Sequence, residues 1–486
     1  MFRMVKNMVG LFLIFYVVFS SAQSPGSNEK YFEQKLDHFN ADNKDSWQQR
    51  YWHDHSHYRE NGRAILFVHG AYTTSNIAYI DKNFIIPLAK NLNATRFYLE
   101  HRFYGESKPK SDTSLKSLVY LSSQQALEDI AFFIEKIPEQ YDFARSIKWV
   151  VIGVSYGGTL ATWARFQYPE KILSAVAINA PLLAKVDYGE YYENVVNSLN
   201  KCNPKCVERI AEANRELKKA IENEKGRKDV TEMFNLCTGL TGNSDEVSSL
   251  FAELAENFAH GVDFNGMRKI TPKKCSFSEL CNIMLKPNIA ALNAYAEVNK
   301  IVKSELNPEQ KCFDHLSKNM MEKLKRNDYE DTSKISKQWI YQTCTEFGFF
   351  QSSSKTSAIF GDHFPATFLA KRCKELFGPE FNIAYIEGKV SNTNERFKGL
   401  DINVTNTIFV YNTEDPWRNL FITNNKTGFY RTYKIETYSC LNKQNAVHLH
   451  GHKGYEIFSF EDDGFLKNME KKLGCIVNDG SDCLAK

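Results

Sequence analysis

Ser155, in the stretch GVSYGG (residues 153–158), is the side chain whose setting best suits nucleophilic chemistry. A serine hydroxyl attacks poorly until a base takes its proton, and that base needs an acid to hold its tautomer. A bare G-x-S-x-G turns up by chance in roughly one chain of this length in six. The flanks sharpen it: an apolar run (147–152) precedes and a helix-like run (159–167) follows, the strand–turn–helix setting of a nucleophile elbow. Gly153 and Gly157 remove Cβ atoms where strand and helix must approach closely. The competing interpretation is a buried glycine-rich turn with a structural serine.

Partners for Ser155 lie downstream in the order serine, acid, histidine that such elbows use. TIFVYN ends in TEDPW, which puts Asp415, with Glu414 beside it, just past a strand's carboxyl end. NAVHLHGHKG (445–454) then offers His448, His450 and His452. On an extended strand these three would share a face, as metal ligands could. A metal would need further donors, and nothing in the sequence brings HDHSH (His53, His55, His57) to them. Catalysis is favoured over ligation: His448 is the expected base, His450 the reserve, and His450 and His452 otherwise belong to a solvated loop. No metal or other cofactor is called for.

The elements that must position these groups are legible. AILFV (64–68), RFYLE (96–100), KWVVIG (148–153), AVAIN (175–179) and NTIFVYN (406–412) read as buried strands. QALEDIAFFIEK sets Leu127, Ile130, Ala131 and Ile134 on one helical face. Apolar strands separated by helices predict an α/β fold with a mostly parallel sheet. Residues 186–361 are rich in Glu, Lys, Asn and Leu and hold seven of the eleven cysteines. They read as a helical, disulfide-stapled insertion between core segments 23–185 and 362–486.

With 486 residues, 43% apolar and 24% charged, the chain can bury a large core. Its net charge of +3 gives no reason to expect nucleic acid. Residues 1–22 have the basic, apolar and small-residue order of a secretory signal peptide, and the apolar run is short for a membrane span. No later stretch is long and apolar enough to span. Eleven cysteines fit an oxidising destination, with disulfides favoured over a metal at Cys202 and Cys206. Sequons at Asn93, Asn403 and Asn425 agree with glycosylation on a secretory route. The expected location is secreted or lysosomal.

Ordered segments carry a resemblance over nearly the whole mature chain. FEQKLDHFN, WQQRYW, EHRFYGES, GVSYGG, NAPLLAKVDYGEYYENV and WIYQTCTEFGFFQ, with EDPW, resemble the serine peptidases typified by lysosomal Pro-X carboxypeptidase, dipeptidyl peptidase II and thymus-specific serine protease. The resemblance implies an α/β-hydrolase core with a helical cap, and exopeptidase cleavage after proline of peptides with proline near a terminus. Ser155 is then the nucleophile and Asp415 the acid. The amides of Tyr156 and Gly70 would form the oxyanion hole, and Trp417 and Thr159 would line the proline pocket. Relatives commonly read GGEGP where this chain has HGAYT from His69, and many have Met at the position of Thr159. They place the histidine in H-C-x-D, where this chain has VHLHG. Two other functions stay open: an α/β-hydrolase-fold binding protein with an eroded site, and an esterase. The end of the peptide recognised and a homodimer are also left open.

Overall fold

A computed structural model describes residues 29–60, 62–71, 84–141, 143, 147–265, 277–306, 308–316, 318–329, 336–426 and 429–435. His448, His450 and His452 lie outside the described residues, as does the expected signal peptide.

Eight strands form one sheet: β1 (Glu29–Lys35), β2 (Ser46–Asp54), β3 (Arg63–Val68), β4 (Thr95–Leu99), β5 (Lys148–Val154), β6 (Ile172–Ile178), β9 (Thr407–Asn412) and β10 (Tyr430–Ile435). Their spatial order is β1-β2-β4-β3-β5-β6-β9-β10. β1 with β2, and β2 with β4, run antiparallel; every later neighbour pair is parallel. The expected α/β-hydrolase architecture, a mostly parallel sheet with helices on both faces, is what forms. A second, two-stranded sheet pairs β7 (Lys185–Asp187) with β8 (Gly348–Phe350).

The central strands are buried on both sides because they carry apolar residues at successive positions, not alternate ones. Leu66, Val68, Phe97, Val151 and Ala177 point to one face, where α1 (Ser123–Gln140) and α2 (Tyr156–Gln167) pack. Ile65, Phe67, Val150, Ile152, Val176 and Ile408 point to the other, against Leu88 and Ala89 of helix Ile86–Asn91. α1 buries Leu127, Ile130, Ala131 and Ile134 as expected, and Ser122 caps it by accepting from the Gln125 amide at 3.2 Å.

Between β7 and β8 the described chain is helical. α3 (Glu190–Cys202), α4 (Pro204–Ala220), α5 (Ser244–Asn265), α6 (Phe277–Met284) and α7 (Ala291–Leu306) precede α8 (Lys337–Gln342). Helices continue past residue 361, ending with α9 (Ile383–Phe397) before β9. Disulfides Cys206–Cys281, Cys237–Cys312 and Cys344–Cys373 staple this region, and Cys202 is disulfide-bonded too. Cys202 and Cys206 therefore serve as crosslinks.

Candidate active site

Ser155 sits between the last residue of β5 and the first of α2 with φ 54° and ψ −128°. A positive φ is rare for a residue with a Cβ, and this one is imposed by its surroundings. The Ser155 amide donates to Ile178 O at 2.8 Å, and Ser155 O accepts from the Thr159 amide at 3.0 Å. A Cβ on Gly153 would lie 2.1 Å from Gly157 O, and one on Gly157 would lie 2.5 Å from Val68 O. The glycines thus let the turn close against its own helix and against the end of β3. Ser155 is nearly covered, at 8% exposure.

The loop after β3 meets this turn. A Cβ on Gly70 would come 2.8 Å from the Gly157 nitrogen, so the two backbones are in contact. Tyr156 opens α2, where the first amides of a helix have no partner within it and present partial positive charge. Its side chain faces away into a polar cluster: Tyr156 Oη accepts from Gln342 Nε2 at 2.9 Å and lies 3.2 Å from His101 Nε2. His101 Nδ1 is 2.7 Å from Arg102 O and must donate there, so its Nε2 accepts from Tyr156. Burial pushes His101 down to about 4, which keeps it neutral and this tautomer fixed. Burial likewise holds the Tyr156 phenol well above its ordinary range.

The loop that carries Glu414 and Asp415 stands at the same sheet edge. Register runs Val154–Ile178–Val410 across β5, β6 and β9, so Ser155 and the segment after Asn412 leave the carboxyl edge two strands apart, roughly 10 Å. Asn179, at φ 45°, ties the two: its amide donates to Val410 O at 2.7 Å and its Oδ1 accepts from the Asn412 amide at 3.0 Å. Asp415 is fully buried and accepts from the Trp417 amide at 2.8 Å. Glu414, the other carboxylate considered, is engaged elsewhere, accepting from Ser198 and pairing with Lys201.

Trp417 is buried among Phe349, Tyr188 and Tyr191, with ring centroids 5.2, 5.6 and 5.9 Å away. Thr159 is buried, and its hydroxyl donates to Pro181 O at 2.9 Å. His53 is a core histidine on β2, 3.0 Å from Thr95 Oγ1 and stacked on Phe97; burial lowers it to about 4. Among the described residues no three His, Cys, Asp or Glu side chains gather as metal ligands would. Asn93, Asn403 and Asn425 are all exposed.

Motif spacing alone did not reveal the supporting shell. Glu100 is buried and receives Arg50 through two nitrogens at 2.8 and 3.1 Å, plus Ser107 Oγ at 2.9 Å. Arg102 grips Asp129 of α1 at 2.6 Å through two nitrogens, and His38 reaches the same carboxylate at 2.8 Å. EHRFYGES, WQQRYW and FEQKLDHFN therefore supply two buried ion-pair clusters, linked by hydrogen bonds through Gln34 and Gln49. The only sequence signal was their recurrence as family-like segments, since such pairs carry no periodicity.

The family model described as serine carboxypeptidase S28 matches residues 34–447. A Caenorhabditis elegans protein named as a serine protease is 30% identical, covering 80% of this chain and 78% of its own. Thymus-specific serine protease of Mus musculus is 29% identical over 83% and 80% of the two chains. Lysosomal Pro-X carboxypeptidase of Homo sapiens is 27% identical over 80% and 77%. With its elbow serine, its sheet order and a match over most of its length, this chain belongs to the serine carboxypeptidase S28 family of serine peptidases.

Proposed function

We propose that the protein is a serine exopeptidase that hydrolyses peptides after proline, by dipeptidyl release or by Pro-Xaa carboxypeptidase action. The observation that carries the reading is Ser155 held at φ 54° between β5 and α2, with buried Asp415 leaving the same sheet edge. Ser155 Oγ attacks the carbonyl carbon as His448 takes its proton, and Asp415 orients His448 and stabilises the imidazolium. The amides of Tyr156 and Gly70 receive the oxyanion. Protonation by His448 releases the amine, and water, activated by the same base, frees the acyl-enzyme. The relative named lysosomal Pro-X carboxypeptidase supports the proline preference, with Trp417 as an apolar wall for the ring and Thr159 beside it. Disulfides and the three exposed sequon asparagines support a secreted or lysosomal, glycosylated protein.

A paired assay tests this. Purified protein is offered Xaa-Pro amides, blocked Pro-Xaa acids and acyl esters at acid and neutral pH, alongside a fluorophosphonate probe. The expected outcome is labelling that Ser155→Ala abolishes, and turnover of one proline substrate class with loss of at least about 10³-fold in Ser155→Ala and in His448→Ala. Absent labelling would instead make the protein a binding module on this fold, and turnover of esters alone would make it an esterase.

A further inference from the structure

Cap helix α3 and Tyr188, two residues before it, reach the loop that carries Asp415 with four side chains. Ser198 Oγ donates to Glu414 Oε2 and Lys201 Nζ to Glu414 Oε1, each at 2.5 Å. Asn194 Nδ2 and Tyr188 Oη both donate to Pro416 O at 2.8 Å, and Asn194 also reaches Asn419 Oδ1 at 2.6 Å. Positions 194, 198 and 201 are spaced by four and three residues, so they form one stripe of the helix. Asp415 lies between the two residues this stripe grips. From the sheet side the same loop is anchored by Asn412, whose Oδ1 accepts from the Glu414 amide at 2.9 Å.

Burial shows this is more than a surface ion pair. The Glu414 side chain is 5% exposed, whereas that of Lys201 is 63% exposed. Ser198 and Lys201 both donate to this buried carboxylate, with the Arg418 guanidinium close enough to feel its charge, and losing either donor weakens the compensation of that charge. The loop that carries it would then be drawn toward water, taking Asp415 with it.

We infer that the α3 stripe is a clamp that sets the place of the acid loop, with Ser198 and Lys201, acting through Glu414, as positioning residues for Asp415. This rests on Asp415 being the triad acid. The cap thereby contributes to the proton-transfer machinery as well as covering the site. Displacements of about 1 Å in catalytic geometry can cost on the order of 10²-fold, so a loosened clamp is felt in chemistry before binding.

The test uses the full-length protein with Lys201→Ala, Lys201→Arg, Ser198→Ala and Asp415→Ala. It reads fluorophosphonate labelling rate, kcat and KM on the better proline substrate, and thermal midpoint. Lys201→Ala and Ser198→Ala are expected to slow labelling and lower kcat about 5- to 30-fold with KM within about twofold, and Lys201→Arg to restore most of the loss. Asp415→Ala is expected to abolish labelling. Wild-type labelling and kcat in both alanine variants, with only the midpoint lowered, would reduce the clamp to a structural contact and overturn the inference, while an inactive Asp415→Ala would leave the triad intact. Wild-type labelling by Asp415→Ala would overturn both.

Discussion

At the scale of single residues, the site depends on backbone conformations that ordinary side chains resist. Ser155 is held at φ 54°, a strain of about 1–3 kcal/mol that the surrounding fold must offset. Gly157 is what allows it, because the end of β3 passes where a Cβ would sit. Gly157→Ala should push the Gly70 loop from the turn and misplace both expected oxyanion amides. A fall in kcat of about 10²-fold is expected, with a thermal midpoint several degrees lower. Steady-state kinetics and a melt check this, and wild-type kcat would mean the loop has room to yield. Choosing between Glu414 and Asp415 is also a residue-scale matter. Both are carboxylates one peptide apart, and only their partners differ: a cap lysine and serine for one, the Trp417 amide for the other.

At the scale of elements, α1 is joined to the cap through one buried carboxylate. Glu346, just after α8, accepts from the Ser123 amide at 2.9 Å and from Ser123 Oγ at 2.5 Å, at the start of α1. Gln342 bridges this carboxylate to Tyr156. Burial raises the Glu346 pKa, against the lowering effect of the bonds from Ser123 and Gln342. A raised folded-state pKa means the folded protein binds this proton more tightly than the unfolded chain. Its stabilising contribution is therefore fully present below the ordinary value of 4.5 and is lost as pH rises through the folded value. Glu346→Gln, which keeps an acceptor and removes the charge, should melt at or above the wild-type temperature at pH 7.5. That advantage should shrink by pH 4.5. Melting curves across this range check the sign, and a variant that melts lower at pH 7.5 and equal at pH 4.5 would reverse it. Arg102–Asp129 and Arg50–Glu100 play the same part on the core side, joining the loop after β4 to α1 and to β2.

At the scale of the whole molecule, the sheet and the helical region between β7 and β8 share one buried cluster, and the crosslinks hold that helical region in shape. Cys206–Cys281 and Cys237–Cys312 each span 75 residues, and Cys344–Cys373 spans 29. Closing loops of these lengths restricts the unfolded chain by about 3–5 kcal/mol per bond. Cys206→Ser with Cys281→Ser should lower stability by about 3 kcal/mol or more, read as a denaturant midpoint shift, and kcat should fall with it because α4 supports α3. Much of this molecule was legible in its sequence. Strands β3, β4, β5, β6 and β9, helix α1 and the elbow at Ser155 follow from apolar runs, helical periodicity and glycine placement, which are local properties of the chain. β1, β2 and β10 were not read as strands: β1 and β2 carry mixed polar residues, and β10 breaks its apolar positions with Arg431, Thr432 and Lys434. What tertiary structure alone decided is pairing at long range. That Glu414 belongs to Lys201, that Tyr156 leans on Gln342, and that Arg102 finds Asp129 depend on contacts 27 to 213 residues apart. No period or spacing encodes such contacts, because the chain between two partners folds through its own core before bringing them together.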